Sequence, residues 1–131
     1  MKSEHSTAIV IDDDPEVREL VARIGEKCGV TVVQVESADR LPALYQSSNA
    51  TLYLVDLMLG ERDALDVLSF LAKQGCRSPV VLMTGYNKFY MDTTEKSVEQ
   101  SGLNIVAKIE KRHLPEELQA LLSSFAAPAV Q

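Results

Sequence analysis

The sequence predicts an α/β domain: a doubly wound, five-stranded parallel sheet with helices on both faces. Three observations lead there. Short apolar runs rich in β-branched residues alternate with longer segments whose apolar residues recur at helical spacing. Each run passes directly into acidic, hydroxyl or glycine residues, the mark of a buried strand ending at a loop. The chain has 131 residues, 46% of them hydrophobic, which is enough for one domain with its own core. Strands each followed by a helix pair in parallel through right-handed crossovers.

Thr7-Ala8-Ile9-Val10-Ile11 is the first strand, buried on both faces and ending in Asp12-Asp13-Asp14. Asp14 offers an N-cap carboxylate and Pro15 suits the first helical position. Val17, Leu20, Val21, Ile24 and Cys28 then mark a helical face until Gly29 stops it. Residues 31–35 form the second strand, and a shorter helix follows Ser37 or Asp39, with Leu41, Leu44 and Tyr45 inside and Pro42 in its first turn. After the Ser47-Ser48-Asn49 turn comes the third strand, Leu52-Tyr53-Leu54-Val55, with Asp56 at its end. Asp63 can cap the next helix, whose Leu65, Leu68 and Leu71 point inward and which ends at Gly75. Residues 79–83 are the fourth strand and run into Thr84-Gly85. Asn87 caps a helix reaching Ser101, with Gly102 at its stop and Leu103 folding back over it. Residues 104–110 supply the fifth strand around Ile105, Val106, Ala107 and Ile109. Pro115-Glu116-Glu117 opens a last helix with Leu118, Leu121, Leu122 and Phe125 inside. The expected boundaries are a disordered N-terminus over 1–6, one domain over 7–125, and a tail or the start of a linker over 126–131.

A net charge of −6 excludes a chain that binds nucleic acid directly through its own basic surface. Cys28 and Cys76 lack metal-ligand spacing and read as small buried side chains. Residues 1–6 hold no signal-peptide stretch, and no apolar run approaches transmembrane length, so the expectation is a cytoplasmic protein without a membrane partner.

In a doubly wound sheet the C-terminal ends of the strands face one way, which brings Asp12, Asp13, Asp56, Thr84 and a lysine beyond the fifth strand to one edge. A single aspartate there would serve as a helix cap, but three in succession exceed what capping needs. Carboxylates packed together repel one another, and a hard divalent cation such as Mg²⁺ holds them ionised at neutral pH. With the cation on Asp13, on Asp56 and on a loop carbonyl assigned to Met58, Asp56 becomes a carboxylate nucleophile equipped to attack phosphorus. Thr84 and the lysine would meet the phosphoryl oxygens.

The segments "IVIDDDPEVREL", "LYLVDLMLG" and "VVLMTGY", with a lysine after the fifth strand, together resemble the receiver domain of two-component response regulators, a flavodoxin-like fold, across roughly residues 7 to 125. The resemblance implies phosphoryl transfer to Asp56 from a sensor histidine kinase, a phosphotransfer protein or a small phosphodonor. It implies that Asp12 and Asp13 help bind Mg²⁺, that Thr84 is the switch hydroxyl, and that a tethered or separate output domain reads the change. Such a module catalyses only its own phosphorylation and dephosphorylation, turning over no external metabolite; a homodimer is one assembly compatible with it.

Two lysines compete for the last position. Choosing Lys108 cuts the fifth strand to about three residues and leaves Ile109 in a loop, whereas Lys111 keeps Ile109 in the strand and leaves a short connection. Lys111 is therefore assigned. "GCRSPVVLMTGYN", "SGLNIVAKIEK" and "LPEELQALL" are similar to receivers that precede cyclic-di-GMP phosphodiesterase (EAL) domains, which agrees with that assignment. The chain departs from the family where Arg112, not proline, follows the lysine. Ala64 approximates the family's loop glycine, Gly60 replaces a common proline, and Lys108 or Ile105 stands at the aromatic switch position. Tyr86, Phe89 and Tyr90 offer aromatics from the helix before it. Two other readings stay open on sequence alone: a phosphorylation-independent interaction domain of the same fold, and a small Mg²⁺-dependent aspartyl phosphotransferase.

Overall fold

Apolar runs that cannot show either face to water must lie inside a sheet covered on both sides. In the computed structural model, which describes residues 6–57, 63–85 and 102–126, five such runs form one parallel sheet. They are β1 (Ser6–Ile11), β2 (Val30–Val35), β3 (Leu52–Asp56), β4 (Pro79–Thr84) and β5 (Asn104–Glu110), in the order β2-β1-β3-β4-β5. The expected architecture holds. The first strand begins at Ser6, one residue inside the N-terminal stretch expected to be disordered.

Strand alternation divides the core in two. Ile9 and Ile11, Tyr53 and Val55, Val80 and Leu82 face one way, toward α2 (Leu41–Ser48) and α3 (Asp63–Lys73). Ala8 and Val10, Leu52 and Leu54, Val81 and Met83 face the other, toward α1 (Pro15–Lys27) and α4 (Leu114–Ala126), where helices are numbered among the described elements. Asp14 caps α1 by accepting from the Glu16 N–H, and Pro15 stands at the first position, as the sequence leads one to expect. Gly25 lets α1 lie against β2, because a Cβ there would be 2.5 Å from Val32 Cγ2. A short 3₁₀ turn, Ala38–Arg40, leads into α2, and another, Lys111–His113, joins β5 to α4.

One expectation needs correction. Leu65 is 45% exposed. The buried stripe of α3 is Ala64, Val67, Leu68 and Leu71, an i, i+3, i+4, i+7 pattern that leaves Leu65 about 100° off its centre. Val106 lies within the fifth strand, as expected, and is 39% exposed. It has no partner in the register, which steps from Val80–Ile105 to Val81–Ala107, so it is the extra residue of a β-bulge. Ile105 accordingly packs on the α2/α3 side, while Ala107 and Ile109 pack on the α1/α4 side. The helix expected over 87–101, the aromatics Tyr86, Phe89 and Tyr90, and the Met58 carbonyl lie outside the described residues.

Candidate functional site at the strand ends

Three strands deliver acidic or hydroxyl groups to one edge. Asp12 follows β1, Asp56 closes β3, and Thr84 closes β4 one residue beyond Met83, the register partner of Asp56. All three are buried, at 0%, 1% and 3% exposure, which is costly for polar groups without partners. The turn after β3 is drawn toward β4 by Leu57, whose N–H donates to the Met83 carbonyl at 2.9 Å. Asp13 points to solvent, and Asp12, Asp13 and Asp56 offer carboxylate oxygens that all lie within 4.8 Å of one another.

The end of β5 brings the countercharge. Past the bulge, Lys108 pairs with Leu82 and Ile109 with Met83, so Lys108 takes the α2/α3 side. Lys111, next but one after Ile109, arrives on the side of Asp12 and Asp56. Its Nζ is 3.0 Å from Asp12 Oδ2 and 3.1 Å from Asp56 Oδ2. Lys108 is exposed within β5. No peptide bond among the described residues is cis, and Arg112 turns outward to pair with Glu110 at 2.7 Å.

Burial pushes the Asp12 carboxyl up from 3.8 to about 6. The Asp14 N–H pulls it down, the charge of Asp56 pushes it up, and Lys111 pulls it down. Lys111 itself is lowered by its burial, but its bond to Asp12 and the charge of Asp56 overcome this and raise it above 10.5. One lysine thus only partly neutralises two buried carboxylates. Asp12 Oδ2 lies close to the ammonium but receives no well-aligned hydrogen bond from the described residues. A cluster of carboxylates at one strand edge, with oxygens within 4.8 Å of one another, is the donor set a hard divalent cation takes. The donors present fit Mg²⁺.

Two residues at this site escaped the sequence reading. Arg18 Nη1 donates to the Asp12 main-chain carbonyl at 2.8 Å, and Arg18 Nε donates to Gln34 Oε1 at 3.3 Å. The available signal was a cation near the start of a helix, where the dipole gives it nothing.

A family model for the response regulator receiver domain matches residues 8–123. The chain belongs to that family. Among solved structures this receiver domain is similar to a response regulator from Colwellia psychrerythraea, at 22% identity and a TM-score of 0.79, covering 94% of this chain and 98% of that one. It is also similar to the receiver domain of NtrX from Brucella abortus, at 27% identity and a TM-score of 0.73, covering 94% and 99% of the two chains. A longer NtrX chain from the same organism, solved in complex with ADP, matches at 27% identity and a TM-score of 0.75, over 94% of this chain but 27% of that one. No curated protein matches the chain in sequence. Among the described residues, no helix is long and apolar enough to cross a membrane.

Proposed function

We propose that this receiver domain accepts a phosphoryl group on Asp56 and signals through the change in its surface. The observation that carries the reading is the buried Asp56 carboxylate paired with Lys111 at 3.1 Å inside the Asp12, Asp13 and Asp56 cluster. A carboxylate oxygen of Asp56 attacks the phosphorus of a phosphohistidine on a kinase or phosphotransfer protein, or of a small acyl phosphate. The new P–O bond forms as the bond to the donor breaks, and the departing imidazole or carboxylate carries away the electron pair. Asp12, Asp13 and Asp56, with the Met58 carbonyl, would hold Mg²⁺, which when bound neutralises phosphoryl charge and polarises the P–O bonds. Lys111 orients Asp56 beforehand and then meets a phosphoryl oxygen, while the Thr84 hydroxyl donates to another. Added charge and acceptor oxygens draw Thr84 and its loop toward the strand edge, and a partner or tethered output domain reads the change.

The domain spans residues 7–125 in this reading, acts in the cytoplasm, and feeds a cyclic-di-GMP phosphodiesterase output, supported by "GCRSPVVLMTGYN" and "SGLNIVAKIEK". A longer chain context has a precedent in the NtrX relative. The test is incubation with Mg²⁺ and acetyl phosphate or a beryllofluoride mimic, followed by intact mass or cation titration. Wild type should gain one adduct and Asp56→Asn none; an unmodified wild type, or equal labelling of both, removes the proposal. A second reading is favoured by β5, where Lys108 or Ile105 stands at the family's aromatic position: a domain whose partner binding ignores phosphorylation. It predicts the same partner affinity in wild type and Asp56→Asn.

A further inference from the structure

We infer that Arg18 is the positioning residue of the acidic turn, gripping Asp12 from behind so that Asp12 Oδ2 faces the cation. The inference rests on the cation-binding reading above and adds a residue to it. Asp12 is held at three atoms. Its N–H donates to the Val35 carbonyl at 3.1 Å. Its main-chain carbonyl accepts from Arg18 Nη1 at 2.8 Å, and its Oδ1 accepts from the Asp14 N–H at 2.9 Å. These contacts fix the backbone and one carboxylate oxygen, which leaves Oδ2 aimed at Lys111 and Asp56.

Arg18 is anchored in turn. Its Nε donates to Gln34 Oε1 at 3.3 Å, and Gln34 precedes Val35, the residue that accepts from the Asp12 N–H. The end of β2 therefore fixes both sides of the Asp12 peptide, one directly and one through the guanidinium. The planar fork of arginine spans Gln34 and the Asp12 carbonyl together, whereas a lysine ammonium on the same stem reaches one of them at a time. Partners that orient a metal ligand in this way alter metal affinity about 10- to 100-fold when removed.

The experiment is a Mg²⁺ titration of the whole, unphosphorylated chain, followed by amide chemical shifts or calorimetry, for wild type, Arg18→Ala, Arg18→Lys and Gln34→Ala. Thermal midpoints in EDTA are recorded beside it. The expected result is a dissociation constant weakened about tenfold by Arg18→Ala, with smaller losses for Arg18→Lys and Gln34→Ala. A merely structural Arg18 would lower the midpoint in EDTA while leaving the Mg²⁺ constant within twofold of wild type, and that result overturns the inference. If Arg18→Ala does not fold, Arg18→Lys and Gln34→Ala decide by the same criterion. A wild type that binds no Mg²⁺ removes the cation-binding reading and this inference together, whereas a binding wild type with unmoved variants removes Arg18 alone.

Discussion

Asp12→Asn should make the cation-free protein more stable. A carboxyl whose folded pKa lies above its unfolded value holds its proton more tightly when folded. Asp12 therefore supports the fold below pH 3.8, and that support is lost as the pH rises through about 6. The difference between 3.8 and about 6, at about 1.4 kcal/mol for each tenfold change in proton affinity, makes ionised Asp12 unfavourable by about 3 kcal/mol near neutral pH. The opposing effect of Lys111 is already contained in that figure. Asparagine keeps an oxygen for the Asp14 N–H and carries no charge. In EDTA at pH 7.5 the variant should gain about 3 kcal/mol, or about 10 °C in thermal midpoint. At pH 5, where folded Asp12 is already mostly protonated, the gain should fall to about half. Mg²⁺ at about a thousand times its dissociation constant should then reverse the ranking, because a ligand at that excess stabilises the protein that binds it by about 4.1 kcal/mol, more than the difference in EDTA. Urea or thermal unfolding by circular dichroism at both pH values measures this directly. An Asp12→Asn variant no more stable than wild type in EDTA at pH 7.5, or equally favoured at both pH values, refutes the argument from burial.

Lys111→Met should destabilise the chain by about 2 kcal/mol at pH 7.5, because it leaves two buried carboxylates without their half-buried countercharge. Since the Lys111 pKa is raised, its support is complete at neutral pH and disappears only above 10.5; Lys108→Met measured alongside should lie within about 0.5 kcal/mol of wild type. Leu68→Ala should cost about 2–4 kcal/mol in urea unfolding while Leu65→Ala costs under about 1, and equal losses would contradict the buried stripe assigned to α3. Deleting Val106, the unpaired bulge residue, should leave a folded domain that still labels at Asp56. Deleting Lys108 instead turns Ile109 and Lys111 to the opposite face, and comparable labelling of the two deletions would disprove the role given to the bulge.

Patterns that depend on near neighbours along the chain were legible before any coordinates. The runs ending at Ile11, Asp56 and Thr84 read as strands because four or five consecutive apolar residues bounded by turns are the length of a buried strand. Asp14-Pro15 had to open a helix because the cap and the first position each demand their own residue type. Placing Asp12, Asp56 and Thr84 on one edge required only that the sheet be parallel. Even the choice of Lys111 over Lys108 was open to argument from loop length.

Other features arise between segments distant in sequence, and no local pattern carries them. Leu65 and Leu68 are chemically alike, and only the surface that α3 meets decides which of them is buried. Regular alternation puts Ile105, Ala107, Ile109 and Lys111 on one face. The register of β5 against β4 inserts Val106 and separates Ile105 from the other three. Arg18 meets Gln34 and the Asp12 carbonyl because α1 folds back along β2, 16 residues away from it in sequence at the Gln34 contact. The sequence by itself determined which groups come to the strand edge, since the parallel direction of the strands follows from the alternation of apolar runs with helical segments. Tertiary structure alone decided which of them touch and how far each carboxylate is taken from water, because those depend on packing and register to within about an ångström.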